Sequence, residues 1–124
     1  MPSQDQAIVE DVMSTPLVTI APDATVVEAA KEMRERDISA LLVTTAPPSI
    51  VTSTDIIAAV SEERDTSQLD VADIMTESVE TVPPDLRLVE TAAMMENFGI
   101  NHLPVVEDDF VGMISSTDIT STLS

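Results

Sequence analysis

Two short patterns in this 124-residue chain could do chemistry. Thr52-x-x-Asp55 and Ser115-x-x-Asp118 each place a hydroxyl three residues before a carboxylate, at the head of an apolar run. A carboxylate accepts two hydroxyl protons at once, and a helix start offers unpaired backbone N–H groups to an anion. The same spacing is a close relative of the capping box, in which the two side chains do no more than begin a helix. On the residues alone both uses stay open. His102, the one histidine, precedes Leu103-Pro104-Val105. A lone histidine at a strand edge is more often a packing or surface residue than a ligand contact. Asp108-Asp109 is a pair of adjacent carboxylates, but neighbours in a hairpin turn point apart and stay solvated.

Composition narrows the chemistry further. Cysteine is absent, which excludes disulfides and thiolate metal sites, and a single histidine makes a zinc site of the usual kind improbable. There is no Gly-x-Ser-x-Gly elbow, no Walker phosphate loop and no evident triad partner for His102. A catalytic role is not expected, and no metal or cofactor is required. The stretch Met1 to Gln6 is polar and carries Asp5, unlike a signal peptide, and no apolar run approaches the roughly 20 residues that span a bilayer. These features fit a soluble, cytoplasmic protein.

Twenty-three acidic residues against five basic ones give a formal net charge of −18, with the acids spread along the chain. Such a charge repels nucleic acid and anionic membranes and destabilises a compact fold by self-repulsion. At molar salt the Debye length falls to about 3 Å and the repulsion is largely screened. Dispersed acid, a single lysine (Lys31) and few bulky apolar residues resemble proteins from salt-loving cells.

The elements that must position the two patterns come from an internal repeat. Asp11-Val12-Met13-Ser14 superimposes on Asp73-Ile74-Met75-Thr76 at an offset of 62 residues. The register holds through Thr19 on Thr81, Pro22-Asp23 on Pro84-Asp85, Val27-Glu28 on Val89-Glu90 and Leu41 on Leu103. After one inserted residue, Ser53-Thr54-Asp55-Ile56 falls on Ser116-Thr117-Asp118-Ile119. The copies run from about 8 to 62 and from about 71 to 124, joined by a polar linker at about 63–70. A lone α/β unit of this size buries too little surface to be comfortable, so the copies should share one core and make a single domain over 1–124.

Within copy one, Leu17–Ile20 reads as a strand ended by Ala21-Pro22-Asp23. Thr25 and Glu28 form a capping-box pattern ahead of a helix whose apolar face is Val26, Ala29, Ala30 and Met33. Ala40–Thr44 and Ile50–Thr52 read as strands around a turn with Pro47-Pro48, and a shorter helix spans about 55–62. Copy two repeats this β-α-β-β-α order with Val79–Val82, Leu88–Phe98, His102–Val106, Phe110–Ile114 and Asp118–Leu123.

Taken in order and in duplicate, these marks resemble the CBS (cystathionine-β-synthase) family over nearly the whole chain, about Val9 to Leu123. The resemblance implies an α/β (α+β) fold of two tandem repeats packed with pseudo-twofold symmetry, leaving two related clefts. In nucleotide-binding members the Ser/Thr-x-x-Asp pattern grips the ligand, the Asp on ribose hydroxyls and the hydroxyl near phosphate. Carried over, Thr52 with Asp55 and Ser115 with Asp118 hold the ligand, while Thr19 with Ile20 and Thr81 with Val82 meet adenine. His102 stands where such relatives carry a basic residue toward phosphate, and Gly112, opposite Ser49 of copy one, would allow close approach of a ligand.

With so few cations, AMP or another lightly charged adenosine compound ranks above ATP, which would need help from Mg²⁺ or high salt; S-adenosylmethionine is a further candidate. The resemblance also implies a homodimer paired through helices, to which Met94-Met95 and Phe98 bring apolar surface beyond one core-facing stripe. Met94 could equally fill the core. Any regulatory output would pass to a protein effector in trans. The alternative is a ligand-free dimerisation scaffold.

Overall fold

A computed structural model describes residues 6–77 and 79–123; the polar start with Asp5 lies outside them. In chain order the elements are helix α1 (Val9–Val12), strand β1 (Thr19–Ile20), helix α2 (Val26–Arg36), strands β2 (Ala40–Val43) and β3 (Ser49–Thr52) and helix α3 (Ser53–Ser61). A 3₁₀ turn at Val71–Asp73 follows, then helix α4 (Leu88–Phe98), strands β4 (His102–Glu107) and β5 (Asp109–Ser115) and helix α5 (Ser116–Leu123). The chain forms two compact units. Val18–Val79 makes one, and the residues up to Leu17 join those from Glu80 onward to make the other.

In the Val18–Val79 unit, α2 begins as its sequence dictates. Thr25 Oγ1 accepts the N–H of Glu28 and the Glu28 carboxylate accepts that of Thr25, each at 3.1 Å. Val26, Ala29 and Met33 are buried, while Glu32 and Arg36 pair on the outer face. β1 runs parallel to β2, with Thr19 beside Leu42, and β2 is antiparallel to β3, with Ala40 opposite Thr52. Both faces of β2 are covered, so Ala40, Leu41, Leu42 and Val43 are all buried. The core is Ala29, Met33, Leu41, Val43, Val51 and Val71. Each fully buried Val or Leu side chain of this kind contributes about 1.5–3 kcal/mol.

The other unit packs Val9, Val82, Leu88, Met95, Leu103, Val105, Ile114 and Ile119. Met94 rests half-buried against this cluster, whereas Phe98 is 54% exposed. The expected strand Val79–Val82 is reduced to a single bridge, Val82 beside Val105. Proline explains the loss. In the first unit β1 receives two N–H bonds, Leu42 to Val18 and Thr44 to Ile20, each at 3.0 Å. Pro104 occupies the position of Leu42 and has no N–H to give. Only the equivalents at Val82 survive: its N–H to Pro104 O at 3.1 Å and Val106 N–H to its O at 2.9 Å.

The segments leading into the two copies are exchanged. Residues 7–14 precede copy one but dock on the body of copy two, and 69–76 precede copy two but dock on the body of copy one. The bonds correspond one for one. Val9 N–H meets Leu86 O at 2.9 Å and Val71 N–H meets Ala24 O at 2.8 Å. Leu88 N–H meets Ala7 O at 3.0 Å and Val26 N–H meets Leu69 O at 2.9 Å, each satisfying a first-turn helix donor. Ser14 bridges Met113 as Thr76 bridges Ile50.

The polar linker is therefore more than a connection. Thr66 O and Leu69 O both cap α2, and Asp65 turns the chain by accepting from Ser67 Oγ at 2.6 Å and Ser67 N–H at 3.0 Å. Those two bonds hold the Asp65 carboxyl below its ordinary pKa.

Candidate ligand site

Each Ser/Thr-x-x-Asp pattern lies where a strand passes into a helix. Thr52 ends β3, and its N–H and Oγ1 both donate to Asp55 Oδ2, at 2.9 and 3.0 Å. Asp55 N–H returns a bond to Thr52 Oγ1 at 3.2 Å. Ser115 ends β5 in the same way, with its N–H on Asp118 Oδ2 at 2.9 Å and Asp118 N–H on Ser115 Oγ at 3.1 Å. Helix capping is thus realised in both copies, and α3 and α5 start at Ser53 and Ser116, two residues ahead of the expected Asp55 and Asp118. The bonds fall on Oδ2 of each aspartate, so the cap engages one edge of a half-buried carboxylate.

The first-strand residues divide by exposure. Thr19 and Thr81 are exposed, whereas Ile20 packs on its unit's core and Val82 is only 1% exposed. Val82 has also given both backbone groups to β4, so it braces the segment that carries Thr81. The register sets Thr19 two strands and two residues away from Thr52, about 10 Å across and 7 Å along the sheet. Thr81 stands in the same relation to Ser115. Adenine plus ribose could bridge such a span; ribose alone could not.

The family model for the CBS domain matches residues 9–62 and again residues 71–124. The chain is a tandem pair of CBS domains. An uncharacterised protein of Methanopyrus kandleri is 32% identical over 117 residues, covering 90% of this CBS pair and 60% of that relative. A homoserine O-acetyltransferase of Methanococcus vannielii is 29% identical over 124 residues, yet the pair spans only 25% of its length. Among solved structures, the CBS domain pair of protein MJ0100 in complex with 5′-methylthioadenosine and S-adenosyl-L-methionine superimposes with a TM-score of 0.83 at 29% identity. The match covers 95% of this chain and 100% of that one.

The two CBS domains are not equivalent at their strand ends. His102 is half-buried directly across the ladder from Ser115, where the first domain sets the buried Ala40 across from Thr52. His102 is thus the cross-strand neighbour of the Ser115–Asp118 junction. Gly112 is not part of it. A Cβ there would lie 2.8 Å from Ser14 O and 3.0 Å from Met13 Sδ, so the space it frees is filled by the chain itself, not held for a ligand. Its counterpart Ser49 is buried, with Oγ 2.7 Å from Thr45 Oγ1.

Residues that the site patterns did not include shape the segments that dock beside these junctions. Asp11 and Asp73 accept the N–H groups of Ile8 and Asp70, each at 2.9 Å, and so shape the leading segments. Their duplication in Asp-Val-Met-Ser and Asp-Ile-Met-Thr was the available signal. Among the described residues, no cluster of three or more His, Asp or Glu is placed to hold a metal ion.

Proposed function

We propose that this CBS pair is a non-catalytic regulatory module that binds an adenosine-containing ligand, with Asp55 and Asp118 accepting ribose hydroxyls. The observation carrying this is the one-edged cap: both carboxylates are fixed through Oδ2 at a strand-to-helix junction, with an exposed threonine a nucleoside's length away. A fixed carboxylate binds hydroxyls with less ordering cost than a mobile one. The ligands of the MJ0100 pair support the same class.

Charge ranks the candidates. In a chain of net charge −18, a cationic or neutral adenosine compound is favoured over a polyphosphate. S-adenosylmethionine and 5′-methylthioadenosine therefore stand ahead of AMP, and AMP ahead of ATP, which would need Mg²⁺. His102 favours AMP only at the second junction. Output passes to a protein partner, and the CBS pair itself dimerises through its helices, where Ile57, Val60 and Phe98 are 67%, 58% and 54% exposed.

A thermal-shift series at molar KCl tests the ligand class. A compound bound only by the folded protein raises its stability by RT ln(1 + [L]/Kd). A rise with S-adenosylmethionine or AMP is expected, and no rise with any adenosine compound would leave a ligand-free scaffold in its place.

A further inference from the structure

In each unit the outer edge of the last strand carries two tasks side by side. On β5, Met113 gives its N–H to Ser14 O at 3.1 Å and receives Ser14 N–H on its own O at 2.8 Å. Two residues on, Ser115 gives its N–H to Asp118 Oδ2 at 2.9 Å. Alternate residues of a strand direct their backbone groups to the same side, so both bonds lie on the edge away from β4, about 7 Å apart. β3 repeats the arrangement. Ile50 N–H meets Thr76 O at 2.9 Å and Thr52 N–H meets Asp55 Oδ2 at 2.9 Å.

We infer that this shared edge is the output line of the module, and that it is crossed. Ligand at Asp118 is reported to residues 8–14 at the start of copy one, and ligand at Asp55 to residues 70–76 between the copies. Because the leading segments are exchanged, each junction shares its strand edge with the segment that precedes the other copy. Ribose hydroxyls bound by the already capped Asp118 carboxylate hold Ser115, and with it the Met113–Ser14 bridge, more tightly. The missing Cβ of Gly112 lets Ser14 lie close against this edge, and the two backbone bonds to Met113 hold it there. The two sites therefore have separate readers.

The ligand half of this inference rests on the adenosine reading above; the mechanical half does not. Residue-resolved amide hydrogen exchange on the full chain in molar KCl tests both. Without ligand, Asp118→Ala should speed exchange at Ser14 and Met113 about fivefold and leave Thr76 and Ile50 unchanged, and Asp55→Ala should do the reverse. Asp118→Asn and Asp55→Asn, which keep an acceptor, should stay near the unmodified protein. Should either Ala variant fail to fold, Ser115→Ala removes only the reciprocal cap bond and Thr52→Ala that bond and the hydroxyl's own bond to Asp55, while the backbone N–H bonds to the carboxylates remain, so both should give the crossed pattern at smaller amplitude. Equal acceleration of both bridges, or of neither, would overturn the coupling.

With S-adenosylmethionine, both bridges should slow in the unmodified protein and only the Thr76 bridge in Asp118→Asn. Calorimetry run alongside separates the two failures. No binding removes the adenosine reading while the unliganded variants still decide the coupling, and binding that slows neither bridge removes the output line.

Discussion

Gly112 and Ser14 meet backbone to backbone, so closely that a Cβ on the glycine would fall 2.8 Å from the Ser14 carbonyl oxygen. The obstacle is main chain and cannot rotate aside. Gly112→Ala should therefore push residues 13–15 off β5 and cost about 1–3 kcal/mol, the usual penalty for overpacking. Urea denaturation in molar KCl measures it. A loss under about 0.5 kcal/mol would mean that the segment shifts freely, and would weaken the case for Ser14 as part of an output line.

Salt should matter to the whole fold. Twenty-three carboxylates against five cations repel across the surface, and one of those cations, Arg36, is already paired with Glu32. Lowering KCl from molar to millimolar lengthens the Debye length from about 3 Å to tens of ångströms and should lower the melting temperature. Restoring salt should reverse it. A melting temperature flat across that range would reject the salt-adapted character.

The exposed Ile57, Val60 and Phe98 lead to a third expectation, that the native state is a dimer. Multi-angle light scattering at micromolar protein in molar KCl should give twice the chain mass, and Phe98→Glu with Ile57→Glu should give the monomer mass. A monomer before substitution would contradict dimerisation.

Much of this architecture was legible in the sequence because its signals are local and doubled. Thr25 with Glu28 announces the start of α2, and the bounds of α4 at Leu88 and Phe98 follow from the repeat of copy one. The first strand of copy two is shorter than the repeat predicts. Its register matches copy one, but Pro104, a residue far along the chain, lacks the donor it needs. Gly112 was legible as a site of close approach but not as to what approaches, since Ser14 is brought there by tertiary structure. The exchange of leading segments was beyond reach for the same reason: matching motifs at Asp11 and Asp73 do not say which body each will dock on. In the site, the capping bonds of Asp55 and Asp118 were readable from spacing, whereas the exposure that separates Thr81 from Val82 was not.

Asp118→Asn separates ligand contact from capping, because it keeps an acceptor for Ser115 N–H while weakening charge-assisted bonds to ribose hydroxyls. Those bonds are worth roughly 1.5–3 kcal/mol, so affinity at that junction should fall at least about tenfold with little loss of unliganded stability. Asp55→Asn should do the same at the other junction. A drop in unliganded stability with unchanged affinity would make the aspartates caps and nothing more.

Isothermal titration calorimetry of the unmodified chain in molar KCl against S-adenosylmethionine, 5′-methylthioadenosine, AMP and ATP tests adenosine binding most directly. At least one of the first three should bind with a Kd below millimolar, and more tightly than ATP without Mg²⁺. Failure of all four to bind below millimolar would contradict an adenosine-sensing module and leave a scaffold.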